Sequence, residues 1–270
     1  MTFEWTALLV VSGASLAAVV VVMAATALVA RRVGRVSVVD VAWGLAFVAV
    51  AIVCLPLALV YGTADRSLLL AVLVAAWGVR LAVHIGRRAG GKEDPRYEKL
   101  LAKAPGDPYL YALRTVFALQ GALVWLISFP LQVTAVSGGS IDWVAGIGAA
   151  LILVGIAFEA IGDAQLAAFK ADPAHRGMIM DRGLWAWTRH PNYFGDACVW
   201  WGVFVVAAAQ WPGVFTVVSP LIMTYLLVWG SGARMTERVM ADRPGFAEYR
   251  ERTSGFFPLP PRRSATAVGS

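Results

Sequence analysis

Leu8-Leu9-Val10-Val11-Ser12-Gly13-Ala14-Ser15-Leu16-Ala17-Ala18-Val19-Val20-Val21-Val22-Met23-Ala24-Ala25-Thr26-Ala27-Leu28-Val29-Ala30 carries no charge and ends on Arg31-Arg32. A bilayer needs about 20 apolar residues at ~1.5 Å rise each. The stretch therefore reads as a membrane-spanning helix with a basic stop. A membrane span is expected here and not a signal peptide, because Glu4 and no Lys or Arg precede the run, which also outlasts an h-region. The same reasoning gives seven spans in all, at about 4–30, 36–60, 67–86, 115–135, 142–164, 195–211 and 212–231. The expected fold is all-α, a polytopic membrane helix bundle of about seven transmembrane helices over 1–258, with 259–270 a disordered tail. Composition agrees: 59% of residues are hydrophobic and 15% charged, where a soluble chain carries about 25% charged. Soluble enzymes and nucleic-acid modules are poor readings of such a chain.

The basic residues set the expected orientation. Counted after successive spans they number 3, 1, 7, 0, 4, 0 and 7, with Arg80 inside the third span. Arg66 alone falls on the poor side. The positive-inside rule makes the rich side cytoplasmic, so the N-terminus is expected outside and the C-terminus inside, in the cell membrane. The net charge of +6 then expresses topology and calls for no polyanion partner. Cys54 and Cys198 lie in apolar stretches without CxxC spacing, and the three histidines have no ligand spacing, so neither a disulfide framework nor a metal is indicated.

Charges within spans cost roughly 3 kcal/mol each and mark functional sites by default. Here they are Asp40, Arg80, His84, Glu159, Asp163 and Asp196. Arg80 and His84 share one helix face, as do Glu159 and Asp163, and Gly155 and Gly162 allow a close helix approach. All six are expected near the cytoplasmic ends of their spans, which implies a polar cavity open to the cytoplasm above an apolar floor. The structural alternative pairs Arg80 with Asp40 or Glu159 as helix glue and lets His84 snorkel.

The stretch richest in chemistry is Gly183-Leu-Trp-Ala-Trp-Thr-Arg-His-Pro-Asn-Tyr-Phe-Gly195-Asp196. Pro191 suits the first turn of a helix. Arg189 and His190 just before it bring donors and positive charge to a helix N-terminus, a site for phosphate groups. Asn192 can bond an amide or adenine edge in both directions.

This segment resembles the membrane steroid 5α-reductase and sterol reductase superfamily, in particular its bacterial 5α-reductase-like (DUF1295-type) branch. The resemblance extends over Val39-Asp40-Val-Ala-Trp43-Gly44, Trp77-Gly78-Val-Arg80-Leu81, Glu93-Asp94-Pro95-Arg96-Tyr97, Glu159 to Gln165, and Arg234 to Glu237 with Phe246-Ala-Glu-Tyr249 and Phe257-Pro258. It implies a reductase domain with a cofactor half at about 142–258 and NADPH as cofactor. It also implies reduction of a conjugated C=C bond in a lipid, fatty-acyl or steroid-like substrate entering from the bilayer. Carried over by position, the cofactor contacts are Glu159, Asp163, Lys170, Arg189, His190, Asn192, Tyr193, Asp196, Arg234, Glu237, Arg238 and Tyr249. The 5α-reductases polarise their substrate with a Glu on the second span and a Tyr on the third. The counterparts here are Asp40 and Trp77, and Trp77 has no acidic proton. Asp40, Arg80 and His84 are therefore the expected catalytic group at the substrate end.

Isoprenylcysteine carboxyl methyltransferases carry a similar Arg-His-Pro-x-Tyr-x-Gly run. They supply the alternative, an S-adenosylmethionine-dependent membrane methyltransferase. Several other features read as packing: the Gly146-Ile-Gly148 stretch, which lacks a preceding strand, and Tyr97, Tyr109 and Tyr111. Trp5, Trp125, Trp143 and Trp211 read as interface anchors, Trp185, Trp187, Trp200 and Trp201 as flanks of the motif, and His175 as a solvated loop residue.

Overall fold

The structure is a computed structural model and describes residues 3–61, 64–230 and 232–262. Helix accounts for 77% of it and no strand forms among the described residues. Helices α1 (Trp5–Val33), α2 (Val38–Tyr61) and α3 (Asp65–Arg88) lead into the short α4 (Pro95–Leu101). The segment 108–137 follows as α5 (Pro108–Ala112), a π-helical turn (Leu113–Ala118), α6 (Leu119–Ile127) and α7 (Phe129–Ser137). Then come α8 (Trp143–Ala171), α9 (Leu184–Trp187), α10 (Pro191–Ala208), α11 (Val218–Val228), α12 (Ala233–Met240) and α13 (Phe246–Arg252).

Six helical stretches among the described residues are long and apolar enough to cross a membrane: Trp5–Val33, Val38–Tyr61, Asp65–Arg88, Pro108–Ser137, Trp143–Ala171 and Gly213–Met240. The protein is therefore read as a multi-pass membrane protein. The segment expected at 195–211 falls in α10, outside those six, because Asn192 and Asp196 in its first two turns lower its hydropathy. Most of the tail expected to be disordered, 263–270, lies outside the described residues.

The chain divides into two compact units, 1–149 with 203–219, and 150–202 with 220–270. In the first, α2 packs against α1, α3, α6 and α7. Its buried residues Val39, Ala42, Ala46, Phe47, Val50, Cys54 and Ala58 recur at 3–4 spacing, the stripe a helix needs to bury one face. Gly44 and Gly78 let α2 and α3 meet at backbone contact, since a Cβ on either would sit 2.6 Å from the other's carbonyl oxygen. Phe47 packs edge-on against Trp77, ring centroids 5.8 Å apart. Arg66 is 2% exposed; it donates to Ser140 O at 2.9 Å and pairs with Asp142 at 2.9 Å. That fastens the loop before α8 to the start of α3.

In the second unit α8 and α10 cross in the same way. A Cβ on Gly195 would lie 2.6 Å from Gly155 O, and one on Gly162 would lie 3.1 Å from Pro191 Cγ. Gly195 of the motif, with Gly155 and Gly162 of α8, thus serves helix contact.

Candidate functional site

In the first unit, Glu93-Asp94-Pro95-Arg96-Tyr97 folds α4 onto the start of α2. Glu93 accepts the N–H groups of Val36, Ser37 and Asp94. The Asp94 side chain caps α4 by accepting Arg96 N–H at 2.8 Å, and Pro95 sits where a helix has no N–H to satisfy. Arg96 then forks between Asp94, at 3.0 Å, and Asp40, at 2.9 Å. The Tyr97 hydroxyl donates to Asp40 Oδ1 at 2.6 Å, while the Gln120 amide donates to the Tyr97 oxygen at 3.2 Å. Tyr97 is 9% exposed. Burial, and then the charge of Asp40, push its phenol well above the usual tyrosine range. Hydrogen bonding by Asp94, ahead of the Asp40 and Asp94 charges, holds the Arg96 guanidinium above its ordinary value. Arg80 and His84 lie one turn apart on α3, both half-buried.

In the second unit, Arg189 donates from Nε to Glu237 at 2.8 Å, and from its guanidinium to the carbonyls of Arg250 and Thr253 at 3.1 and 2.6 Å. Its backbone N–H donates to Ser254 O at 2.9 Å. His190 Nε2 shares the same Glu237 oxygen at 3.0 Å, and the Tyr193 ring stacks on His190 with centroids 5.4 Å apart. Thr188 donates to Phe256 O at 2.9 Å, Tyr249 to Trp185 O at 2.7 Å, and Leu259 N–H to Trp187 O at 3.0 Å. These bonds strap residues 246–259 along the segment before α10. Burial raises the Tyr249 phenol above the ordinary range.

The other predicted cofactor residues fall in this unit too. Glu159, Asp163 and Asp196 are buried, 3%, 6% and 8% exposed. Asn192 is half-buried in the first turn of α10 with its Oδ1 accepting Tyr193 N–H at 3.1 Å. Lys170 on α8 and Arg234 and Arg238 on α12 are exposed. Trp185 ties the motif to α8 by donating to Gly162 O at 2.9 Å. Gly183, at φ +59°, meets Gln165 so closely that a Cβ would lie 2.5 Å from its amide nitrogen.

The DUF1295 family model, described as a protein of unknown function, matches residues 26–253. The chain belongs to that family, one of the steroid 5α-reductase-like families. It is also similar to the uncharacterized protein C594.04c of Schizosaccharomyces pombe, 24% identical over 227 residues. That alignment covers 73% of this chain, and the chain spans 65% of that protein's length. No solved structure matches. Membership identifies the chain as a membrane steroid reductase-like protein.

Two features of this family member escaped the sequence reading. Tyr97, expected as packing, has its hydroxyl on Asp40, and Arg96 and Gln120 complete the cluster. The available signal was an Arg-Tyr pair directly after an Asp-Pro helix start in a basic loop. His175, expected as a solvated residue, stacks on Phe169 with centroids 4.2 Å apart and planes 7° apart. Stacking on Phe169 takes one face of the imidazole out of water.

Proposed function

We propose that the protein is an NADPH-dependent reductase of a C=C bond conjugated to a carbonyl in a lipid, fatty-acyl or steroid-like substrate, working at the cytoplasmic face of the cell membrane. The observation that carries this reading is the Tyr97–Asp40 hydrogen bond of 2.6 Å. The phenol is buried and neutral, its one O–H is held on Asp40, and Gln120 donates to its oxygen; turned from Asp40 to a substrate oxygen that gains negative charge, the same O–H is the donor offered there. It supplies the donor that Trp77 could not. Arg96 steadies Asp40 from the opposite side, so Asp40 acts with Tyr97 at the substrate end. Arg80 and His84 are assigned to the same end.

The residues of the second unit suit a phosphorylated dinucleotide. Asn192 offers both a donor and an acceptor to a carboxamide. Lys170, Arg234 and Arg238 offer exposed cations to phosphates, and Glu159, Asp163 and Asp196 offer acceptors to ribose hydroxyls. Arg189, His190, Glu237 and Tyr249 serve that site by fixing the strap and the start of α10, with Tyr193 stacked on His190. The cofactor, when bound, supplies a hydride.

Calorimetric titration of the purified protein with NADPH, NADH and S-adenosylmethionine tests the reading. NADPH binding is expected, lost in Asn192→Ala and Asp163→Ala variants whose unliganded melting is unchanged. Tight S-adenosylmethionine binding without an NADPH response would overturn it in favour of a membrane methyltransferase.

A further inference from the structure

The second unit contains a cavity of about 290 Å³ that none of the residues assigned above lines. Its walls are the end of α8 at Phe169, the loop 178–182, and the turn into α13 at Pro244 and Gly245. Phe169, Met178, Ile179 and Pro244 make one side apolar, and Arg182 and Arg252 bring guanidinium groups to it. The two arginines differ. Arg252 is paired with Asp181, which spends its charge on the wall itself. Arg182 is exposed and makes no ion pair among the described residues. His175, stacked on Phe169 and hydrogen-bonded to Phe169 O at 3.3 Å, braces the apolar wall.

An apolar, aromatic-bearing wall beside one uncommitted guanidinium is the recognition chemistry of a base joined to a phosphate. The cavity also lies at a fixed interval from the predicted cofactor residues. Glu159 and Phe169 are both on α8, ten residues and so about 15 Å apart along its axis. That interval is within the reach of an extended dinucleotide lying along the helix, with Asp163 between its ends and Lys170 next to Phe169.

We infer that this cavity takes the adenosine end of the dinucleotide and that Arg182 binds the 2′-phosphate, making Arg182 the residue that selects NADPH over NADH. The inference rests on the dinucleotide reading proposed above and extends it to cofactor choice. Arg182 is suited to the task because a guanidinium can fork onto a phosphate with two parallel hydrogen bonds, which NADH, with a plain 2′-hydroxyl, cannot accept as an anion. Asp181 does not oppose the phosphate, since Arg252 neutralises it.

The test is isothermal titration of the full chain in detergent with NADPH, NADH, adenosine 2′,5′-bisphosphate and adenosine 5′-monophosphate, on the wild type and on Arg182→Ala. The wild type is expected to favour each 2′-phosphorylated ligand over its partner by roughly ten- to a hundredfold, the span of a charged hydrogen-bond pair. Arg182→Ala is expected to abolish that preference and leave NADH and adenosine 5′-monophosphate binding unchanged, with Arg182→Lys in between. An unchanged preference in Arg182→Ala overturns the assignment, as does equal wild-type affinity for NADPH and NADH; both leave the dinucleotide reading standing. Failure of the wild type to bind any of the four overturns both. A bilayer phosphate as the true occupant would show as Arg182-dependent stabilisation by phosphatidylglycerol nanodiscs over phosphatidylcholine ones with no 2′-phosphate preference, which also overturns it.

Discussion

Glu93, Asp94, Pro95, Arg96 and Tyr97 each make a different contact, and the set works as one device. Glu93 terminates the free N–H groups at the start of α2, Asp94 and Pro95 start α4, and Arg96 and Tyr97 close on Asp40. The Glu93 carboxyl shows what this costs and gains. Burial alone would raise its pKa from 4.5, but the Ser37 hydroxyl and the N–H groups of Val36, Ser37 and Asp94 outweigh burial and lower it. A carboxylate with a depressed folded value contributes stability that is complete above its ordinary range and is lost as pH falls through the folded value. The wild type should therefore lose melting temperature as pH drops from about 5 toward about 3, with part of that loss traceable to Glu93. Glu93→Gln, which keeps the shape and removes the charge, should melt lower at neutral pH and lose less over the same acid window. Parallel melting curves for the two proteins across that window would show that Glu93 does not carry the effect. Tyr97 sits on the opposite side of the titration scale: its raised value keeps it a neutral donor throughout this range.

At the scale of elements, the strap 246–259 depends on one side chain more than on any helix. Arg189 joins Glu237, Arg250 O and Thr253 O while 13% exposed, a fork that only a guanidinium can make. Removing it leaves a carboxylate and two carbonyls short of donors, at a cost of about 3 kcal/mol. Arg189→Lys should therefore fail to rescue. Trypsin should cut at Arg250 and Arg252 faster in both Arg189→Ala and Arg189→Lys than in the wild type, with α1 to α3 remaining resistant. Equal cutting rates in Arg189→Lys and wild type would mean that charge alone holds the strap. This element also shows where sequence reading stops. Arg189 and His190 read as phosphate-facing residues from their neighbours in the chain, but Glu237, the partner that engages them, lies 48 and 47 residues away. Asp40 and Tyr97 are 57 apart, so neither apolar period nor local motif could join them. The long apolar helices and the glycine crossings were legible, because span length and small residues act locally: Gly155 and Gly162 meet a neighbouring helix where close packing was expected.

For the whole molecule the open quantity is orientation, and Arg66 decides how firmly the charges speak about it. It is the one loop cation on the poor side of an otherwise one-sided distribution. It is also buried and paired with Asp142, so it stands as half of a neutral pair rather than as an exposed positive charge. A cation neutralised in this way weighs little in the positive-inside balance, and the exposed basic residues of the loops then all favour one side. The loop containing Lys103 should face the cytoplasm and the loop containing Ser140 the opposite side. Both residues are exposed, and both native cysteines are buried, so single cysteines placed there report cleanly. In intact cells a membrane-impermeant maleimide should label Ser140→Cys and leave Lys103→Cys unlabelled until the cells are lysed. The reverse pattern would put the Asp40–Tyr97 cluster on the far face, away from the cytoplasmic supply of reduced nucleotide, and would end the reductase proposal along with the topology.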